Sequence, residues 1–513
     1  MKQTCFFALA ALLFVLCLLS GCQVSSTPPA ETTAPVTTAP VTAAPETAAP
    51  APSPLQLTGG GHTYTIVRDE NFRGVGIDAA VALRAALSEG LEEGLGIKTD
   101  WYKPGTEPSI GEYEILLGPT NRPESAALAE GLGMYDYKIA VMGEKLVIVG
   151  GCEEALAHAV AHILRRNVLA ADEAGSLSVA RDYTYHFDGA DSREEYLANP
   201  DLFLCSWVLK LDVPAWMTDF AEKMAAFRDG DGRLLSDIHR ADHIFYPENS
   251  LEGIISCIQM GADAIELDLR KTKDGVIVLM HDASLRRTTD WENKAARNGL
   301  PLSDQVADWT YAELQELRLR KNDGTQTDYC IPTFAEALQV CRERIFLHLD
   351  IKYEGWTWES DIIPLLEETG AWNTVILPVT ASIVSQADLL ALMEEKSGLP
   401  VLHRYYLNFS VRANWDTIIS RLNASGYYPI FHINGGWWDL GKADECFAAA
   451  APYLLQNNDK MRIYCGVQTL PDDEENAALF EKLHANGMDF VLVDNIFNLQ
   501  QYIAEHCSPT PIP

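Results

Sequence analysis

Residues 264–282 read AIELDLRKTKDGVIVLMHD, and this stretch decides the fold and points to the chemistry. From Ile265 to Arg270 apolar and polar residues alternate strictly, which is typical of a β-strand whose successive side chains point to opposite faces. Glu266 and Asp268 therefore share one face of the predicted strand. Two carboxylates two positions apart on a strand point the same way.

A tight turn and a return strand follow. Asp274-Gly275 is a dipeptide typical of hairpin turns, and the apolar residues 276–280 predict a short second strand. Counting back from the turn brings His281 about level with Asp268, although the alternation alone does not fix the register. The hairpin thus predicts an imidazole beside the carboxylate pair.

A further strand with the same alternation is predicted within residues 344–352. His348, Asp350 and Lys352 share one of its faces. If this strand meets the first one, three carboxylates converge: Glu266, Asp268 and Asp350.

The residue types in this set suit phosphodiester chemistry. Carboxylate oxygens are ligands that Ca²⁺ and Mg²⁺ prefer, and near a phosphate such ions keep positions open for its oxygens. We therefore expect a divalent cation, Ca²⁺ or Mg²⁺, as cofactor. Arg240, with its forked donors, and Lys352, as a point charge, are predicted to contact the phosphate. His239 and His281 can divide the proton transfers, because imidazole titrates near neutral pH.

The order of these motifs resembles the glycerophosphodiester phosphodiesterase family. The motifs are His-Arg at 239–240, Pro-Glu-Asn-Ser at 247–250, Glu-x-Asp at 266–268, Asp-Gly at 274–275, His-Asp at 281–282 and Asp-x-Lys at 350–352. The resemblance implies a TIM-type (β/α)8 barrel of the phospholipase C-like phosphodiesterase kind, with its site at the carboxyl ends of the strands. It also implies particular roles: His239 and His281 as the acid–base pair, Glu266, Asp268 and Asp350 as metal ligands, and Arg240 and Lys352 as phosphate contacts.

Three positions depart from the family pattern. Members usually carry Gly after the first His-Arg, whereas this chain has Ala241, and a methyl group at a tight turn is expected to shift His239 slightly. The third ligand is usually Glu, and Asp350 is one methylene shorter. The Trp-Thr-Val-Asn that often lies on a late barrel strand is replaced by residues 466–470.

The rest of the chain predicts the domain order. Strand-like and helix-like runs alternate through residues 233–507, as a barrel requires, and polar residues such as Asp494 directly follow apolar runs, where a barrel has its mouth. Residues 55–190 predict a small α/β unit that resembles the accessory domain preceding the catalytic barrel of several carbohydrate-active enzymes. That resemblance leaves two interpretations open, support for the barrel or contact with cell-surface glycans. Residues 191–232 are a connector.

The first residues predict where the protein is located. A charged Met1-Lys2, an apolar run and Leu19-Ser20-Gly21-Cys22 are typical of a bacterial lipoprotein signal. We expect a signal peptide over residues 1–21, lipidation of Cys22 and anchoring to a bacterial membrane. Residues 22–54, rich in Thr, Pro and Ala, predict a disordered tether. The folded part is then expected outside the cytoplasm.

Composition limits the range of functions. The chain has 513 residues and a formal net charge of −33, which argues against nucleic acid as a partner. The resemblance to the glycerophosphodiester phosphodiesterase family implies metal-dependent hydrolysis of a small or lipid-derived glycerophosphodiester to an alcohol and glycerol 3-phosphate. Two alternatives stay open: a sphingomyelinase D-like phospholipase, since related barrels can carry Asp-x-Lys, and a catalytically silent surface binding protein, suggested by the departures from the family pattern.

Overall fold

The computed structural model describes most of the chain after the predicted tether. The described residues are 53–89, 91, 93–229, 232–294, 299–379, 387–398, 402–408, 428–434, 444–445, 448, 462–467 and 473–507. The predicted signal peptide, Cys22 and nearly all of the tether lie outside them. None of the helices in the described part has the length and apolar character needed to cross a bilayer.

The first part of the described chain is an α/β unit built on a six-stranded sheet. Its strands are β1 (Leu55–Gln56), β2 (Thr65–Arg68), β3 (Gly96–Thr99), β4 (Glu114–Leu117), β5 (Tyr137–Met142), β6 (Lys145–Gly150), β7 (Ala170–Ala171), β8 (Leu177–Val179) and β9 (Thr184–Phe187), and its helices are α1 (Val75–Ser88), α2 (Pro123–Ala129) and α3 (Glu153–Arg165). The main sheet has the order β3-β2-β4-β6-β5-β9, and β1, β8 and β7 form a small second sheet. Strand β4 is buried along its whole length, so this unit has a core of its own.

Short helices lead from this unit into a barrel. They are α4 (Arg193–Ala198), α5 (Ala215–Thr218) and α6 (Phe220–Asp229). The barrel strands are β10 (Leu235–His239), β11 (Ala264–Lys271), β12 (Ile277–Leu279), β13 (Phe346–Ile351), β14 (Val375–Val379), β15 (Leu402–Asn408), β16 (Tyr428–Asn434), β17 (Arg462–Gly466) and β18 (Phe490–Val493). The helices between and after them are α7 (Leu251–Gln259), α8 (Trp291–Lys294), α9 (Tyr311–Leu314), α10 (Phe334–Cys341), α11 (Ile363–Thr369), α12 (Ala387–Ser397), α13 (Asp473–Ala485) and α14 (Ile496–His506).

Eight of the described strands close into a parallel ring. The sheet order is β10-β18-β17-β16-β15-β14-β13-β11, with β12 added antiparallel to β11, and β10 also pairs with β11. The predicted fold class, a (β/α)8 barrel preceded by a small α/β part, is confirmed. In such a barrel the carboxyl ends of all the strands meet at one mouth.

Local sequence signals set the helices around the mouth. Ser250 is the N-cap of α7 and its hydroxyl accepts a hydrogen bond from the backbone N–H of Gly253 at 3.1 Å. A capping box of Thr333 and Glu336 is present at the start of α10, where the two side chains satisfy N–H groups that have no partner inside the helix.

Helix α6 closes the opposite end of the barrel. The Phe227 ring packs edge-on against Phe346 and Phe490, at ring-centroid distances of 4.7 and 5.1 Å. The fully buried Lys223 lies on the same helix, and its Nζ donates hydrogen bonds to the carbonyl oxygens of Ala262 (2.6 Å) and Arg344 (3.0 Å). These carbonyls belong to the segments that enter β11 and β13, the two strands of the predicted site.

Burial lowers the pKa of Lys223 to about 8, which makes a testable contribution to stability. Between that pKa and the ordinary value of 10.5, the unfolded chain binds more protons than the folded one, so folding becomes more favourable as the pH rises. We expect the stability of the wild type relative to Lys223→Met to increase by up to about 1.4 kcal/mol per pH unit above pH ~8. Urea unfolding of both proteins at pH 7 and pH 9.5 measures this difference. If the free energy of unfolding changes with pH in the same way in the two proteins, the pKa of Lys223 is not lowered in the folded state.

Candidate active site

The three predicted carboxylates lie together at the mouth of the barrel. Strands β11 and β13 are parallel neighbours, and their register pairs Asp268 with Asp350. Glu266 precedes Asp268 by two residues on the same face, as the alternation predicts. One carboxylate oxygen from each of the three side chains lies within 4.8 Å of the others, so the predicted convergence is present in the structure.

The electrostatics of this cluster suit a cation. Glu266 is only 4% exposed, and burial together with the nearby charges of Asp268, Asp350 and Asp237 raises its pKa well above the ordinary value. Like charges this close in a buried site need a positive partner. An all-oxygen set of carboxylates fits a hard divalent ion.

Two cationic side chains flank the carboxylates. Lys352 Nζ lies 2.6 Å from Asp350 Oδ2 and 3.3 Å from Asp268 Oδ1. Arg240 Nε lies 3.3 Å from Asp268 Oδ2, and the backbone N–H of Arg240 donates to Glu266 Oε2 at 3.1 Å. Burial disfavours the charge on Lys352, but its bonds to the two aspartates raise its pKa overall. The two predicted phosphate contacts thus border the predicted metal ligands.

Asp268 is fixed by an amide from the preceding loop. Asn249 Nδ2 donates to Asp268 Oδ2 at 3.0 Å, and the backbone N–H of Asp268 donates back to Asn249 Oδ1 at 3.0 Å. This reciprocal pair accounts for the Asn of the Pro-Glu-Asn-Ser motif. It holds one carboxylate oxygen in a set orientation.

The first histidine has a carboxylate partner from the far end of the chain. His239 ends β10, and its Nδ1 lies 2.7 Å from Oδ1 of Asp494, the residue directly after β18. Burial opposes the charge on Asp494, but the bond to His239 and the nearby His243 and Arg240 lower its pKa overall. A proton on Nδ1 makes Nε2 the basic nitrogen of neutral His239.

The second histidine is held at its ring and at its backbone. His281 Nδ1 bonds Oδ1 of its neighbour Asp282 at 2.6 Å. Arg270 donates two hydrogen bonds to the carbonyl oxygen of His281, at 2.9 and 2.6 Å. The backbone N–H of Met280 donates to the carbonyl oxygen of Asp268 at 2.9 Å, so His281 lies one residue past the position opposite Asp268, close to the approximate level predicted for it.

The loop after β10 contains strained backbone at the position that departs from the family pattern. Arg240 and Ala241 both adopt left-handed conformations, with φ of 57° and 62°, and Asn249 does so at 57°. A non-glycine residue there costs roughly 1–2 kcal/mol. The expected tight turn is therefore present at Ala241, which is fully buried. The strained backbone lies beside His239, and such strain is typical of functional sites.

A chain of ion pairs joins the two halves of the site. Asp282 Oδ2 accepts a hydrogen bond from Arg287 Nε at 2.7 Å, and the Arg287 guanidinium binds both oxygens of Glu248 at 2.8 and 2.7 Å. Glu248 Oε2 in turn lies 3.3 Å from Arg240 Nη1. The hydrogen bond from Arg287 lowers the pKa of Asp282 to about 2, so this carboxylate stays ionised at neutral pH.

His348 shares the predicted face with Asp350 but lies deeper in the barrel. Its Nδ1 is 2.6 Å from Oδ2 of Asp237, and both side chains are buried. The register places His348 beside Glu266. The Asp237–His348 pair therefore forms a polar layer beneath the carboxylates.

Sequence reasoning assigned no role to Asp494, Arg270, Arg287 and Glu248. Asp494 was predicted as a mouth residue because it follows an apolar run, and Arg270 shares the alternating face of Glu266. Glu248 stands in the Pro-Glu-Asn-Ser motif, whereas no local pattern singles out Arg287. Cys22 and residues 468–470 lie outside the described residues.

Comparison with known proteins gives one family. The model of the "Glycerophosphoryl diester phosphodiesterase family" matches residues 239–367. The "Uncharacterized protein YqiK" of Bacillus subtilis is 30% identical over 232 residues, which are 44% of this chain and 87% of that protein. A "Glycerophosphodiester phosphodiesterase" of Bacillus altitudinis is 32% identical over 200 residues, 37% of this chain and 73% of that one. "Glycerophosphodiester phosphodiesterase 1" of Mus musculus is 32% identical over 124 residues, only 34% of its own length.

Solved structures of similar proteins cover about half of the chain. A glycerophosphoryl diester phosphodiesterase from Parabacteroides distasonis is 20% identical and covers 56% of this chain and 92% of that one, with a TM-score of 0.42. An Oleispira antarctica phosphodiesterase solved with its product sn-glycerol-3-phosphate is 22% identical and covers 53% and 97%, with a TM-score of 0.38.

Proposed function

The chain belongs to the glycerophosphodiester phosphodiesterase family, and from that premise we propose that it hydrolyses glycerophosphodiesters to an alcohol and glycerol 3-phosphate. The observation that carries the proposal is the carboxylate cluster of Glu266, Asp268 and Asp350, flanked by the two cations Arg240 and Lys352. This is a negatively charged cluster bordered by two positive side chains. It suits a divalent cation and the phosphate that the cation would neutralise.

In the proposed reaction His239 and His281 exchange protons with the substrate. One imidazole takes the proton of the attacking hydroxyl, from water or from a neighbouring glycerol hydroxyl, as its oxygen bonds to phosphorus. The bond from phosphorus to the alcohol oxygen breaks, and the other imidazole protonates that oxygen. When the glycerol hydroxyl attacks, this step leaves a cyclic glycerol phosphate. Water then attacks its phosphorus, the new ring P–O bond breaks, and the same two imidazoles exchange the protons as glycerol 3-phosphate forms. The bonds of His239 to Asp494 and of His281 to Asp282 support these roles, because a carboxylate on Nδ1 fixes the tautomer and stabilises the charged ring.

The cofactor in this proposal is Ca²⁺ or Mg²⁺, held by Glu266, Asp268 and Asp350. When bound, the ion would offset charge on the phosphoryl oxygens. Arg240 and Lys352, which border these carboxylates, would bind the same phosphate and orient it. Lys352 keeps its positive charge for this task, because the neighbouring aspartates raise its pKa.

Two alternatives have an observation in their favour. Asp350-x-Lys352 stands where a sphingomyelinase D-like phospholipase can carry Asp-x-Lys, and such an enzyme would release head groups from intact lipid bilayers. The strained Ala241 and the short Asp350 favour a catalytically silent surface protein, which would bind phosphodiesters without cleaving them. Assays with bilayers and with ligand binding separate both from the main proposal.

We also propose that the protein acts outside the cytoplasm, anchored to a bacterial membrane through lipidated Cys22. The lipoprotein-like signal over residues 1–21 and the Thr- and Pro-rich tether over residues 22–54 support this location. In this arrangement the substrate would be a small or lipid-derived diester at the cell surface. Contact of residues 55–190 with cell-surface glycans remains part of the proposal, supported only by the resemblance of that segment to accessory domains.

The deciding experiment measures release of glycerol 3-phosphate from glycerophosphocholine and glycerophosphoethanolamine by the purified protein. Parallel reactions contain Ca²⁺, Mg²⁺ or a chelator. We expect turnover that depends on the metal. Binding without turnover would favour the silent protein, and release of head groups only from bilayers would favour the phospholipase.

A further inference from the structure

His281 is connected to both proposed phosphate contacts through two arginines that the proposed reaction does not use. Arg270 bridges backbone to backbone: it donates to the carbonyl oxygen of His281, and its Nη1 donates to the carbonyl oxygen of Lys352 at 2.9 Å. Arg287 links side chains: it bonds Asp282, which bonds the His281 ring, and it also bonds Glu248, which pairs with Arg240. One link therefore leads to Lys352 and the other to Arg240.

The first link follows from the strand alternation. Arg270 lies on the same face of β11 as Glu266 and Asp268, at the mouth end of the strand, and reaches the residues that leave β12 and β13. Its described hydrogen bonds go to carbonyl oxygens rather than to carboxylates. It thus brings a positive charge near the cluster and leaves the carboxylate oxygens to a cation.

The second link joins two loops that are distant in sequence. Glu248 belongs to the loop between β10 and α7, whereas Asp282 and Arg287 belong to the excursion between β12 and α10. The Glu248 side chain is 4% exposed, and its two oxygens pair with one planar guanidinium, a geometry that fixes both partners. A lysine at position 287 has a single donor group and cannot reproduce this fork while also bonding Asp282.

We propose that Arg270 and Arg287 are positioning residues that set the distance between the acid–base group His281 and the phosphate subsite of Arg240 and Lys352. The inference rests on the proposed function. Neither arginine needs to touch the substrate. Each would act by holding His281 where its imidazole meets the reacting oxygen.

The test compares four variants of the full-length protein in detergent: Arg270→Lys, Arg287→Lys, His281→Ala and the control Arg286→Lys. Arg286 is the neighbouring exposed arginine, which pairs with Asp304 and Glu292 outside the chain of ion pairs. Values of kcat and KM are measured with glycerophosphocholine and with a glycerol phosphate ester of 4-nitrophenol, a leaving group that needs no proton.

We expect Arg270→Lys and Arg287→Lys to lower kcat/KM for glycerophosphocholine roughly 10- to 100-fold, as loss of supporting hydrogen bonds around a site does. The control should change it less than about 3-fold. For each arginine variant, the loss of kcat/KM on glycerophosphocholine is divided by the loss on the 4-nitrophenol ester. This ratio should deviate from 1 in the same direction as the ratio measured for His281→Ala. Adding either arginine change to His281→Ala should have little further effect, because the group being positioned is gone.

The outcomes separate the inference from the proposed function. No turnover by the wild type with any metal would overturn the proposed function. Turnover by the wild type with unchanged arginine variants, or arginine effects that persist undiminished without the His281 imidazole, would overturn the positioning role alone. Circular dichroism and thermal unfolding check each fold. If Arg287→Lys does not fold, Glu248→Gln breaks the same link from its other end and gives the same expectations.

Discussion

Replacing His239 with alanine is expected to lower kcat for glycerophosphodiesters roughly 10²- to 10⁴-fold, the range contributed by a positioned general acid or base. The physical reason is the bond from His239 Nδ1 to Asp494 at 2.7 Å, which leaves Nε2 as the nitrogen that exchanges a proton with the substrate. Steady-state kinetics with glycerophosphocholine at saturating metal measure the loss.

Two further variants make this result specific. Asp494→Asn keeps a polar partner, but an amide that donates to Nδ1 would leave the proton on Nε2 and so hold the ring in the wrong tautomer; we therefore expect kcat to fall with this variant as well. His186→Ala removes an exposed histidine of the first α/β part and should leave kcat unchanged. Wild-type turnover from His239→Ala would show that this ring carries no proton in the reaction.

Replacing Glu266 with glutamine should abolish metal-dependent activity and yet not destabilise the fold. In the wild type, burial and the neighbouring carboxylates raise the pKa of Glu266 well above its ordinary value. The folded state then holds the proton more tightly than the unfolded state, so this group lowers stability as the pH rises above its unfolded pKa. The neutral isostere removes that penalty, and in chelator we expect the variant to be as stable as the wild type or more stable, by on the order of 1 kcal/mol.

Thermal unfolding in chelator and in Ca²⁺ or Mg²⁺ measures both effects together. The wild type should be stabilised by the ion, since a ligand that binds only the folded state raises its stability. Glu266→Gln should lose most of this response along with its turnover. The matched control is Glu252→Gln. Glu252 is a buried glutamate outside the carboxylate cluster, and its Oε1 accepts a hydrogen bond from the Tyr196 hydroxyl at 2.8 Å. This variant should keep the metal response. Retention of both the metal response and the activity by Glu266→Gln would place the ion elsewhere.

The strands of the site could be predicted because their signal is local. The alternation around Glu266 and Asp268 predicts a shared face, and the structure has that face on β11. The hairpin could be predicted only to an approximate level for His281, because turn chemistry and alternation do not determine where the return strand bonds; in the structure Met280 lies opposite Asp268. Whether these residues have the predicted roles stays a prediction that the variants test.

The supporting residues could not be predicted in the same way. Asp494 meets His239 across 255 residues of sequence, and Arg270 donates to the carbonyl oxygens of residues just past two other strands. Lys223 stands in the predicted connector, to which the sequence assigned no structure, yet it is fully buried among backbone carbonyls. Such contacts depend on the closed ring and on loop geometry, which local periodicity does not encode.

The closure of the ring by β10 and β18 also bears on when the protein can first become active. The His239–Asp494 pair joins the first barrel strand to the residue just past the last one. Bringing such distant segments together is entropically demanding and typically late in folding. A nascent or truncated chain that lacks the final strand therefore cannot orient its first histidine. Turnover would then report that synthesis and folding have both reached the final barrel strand.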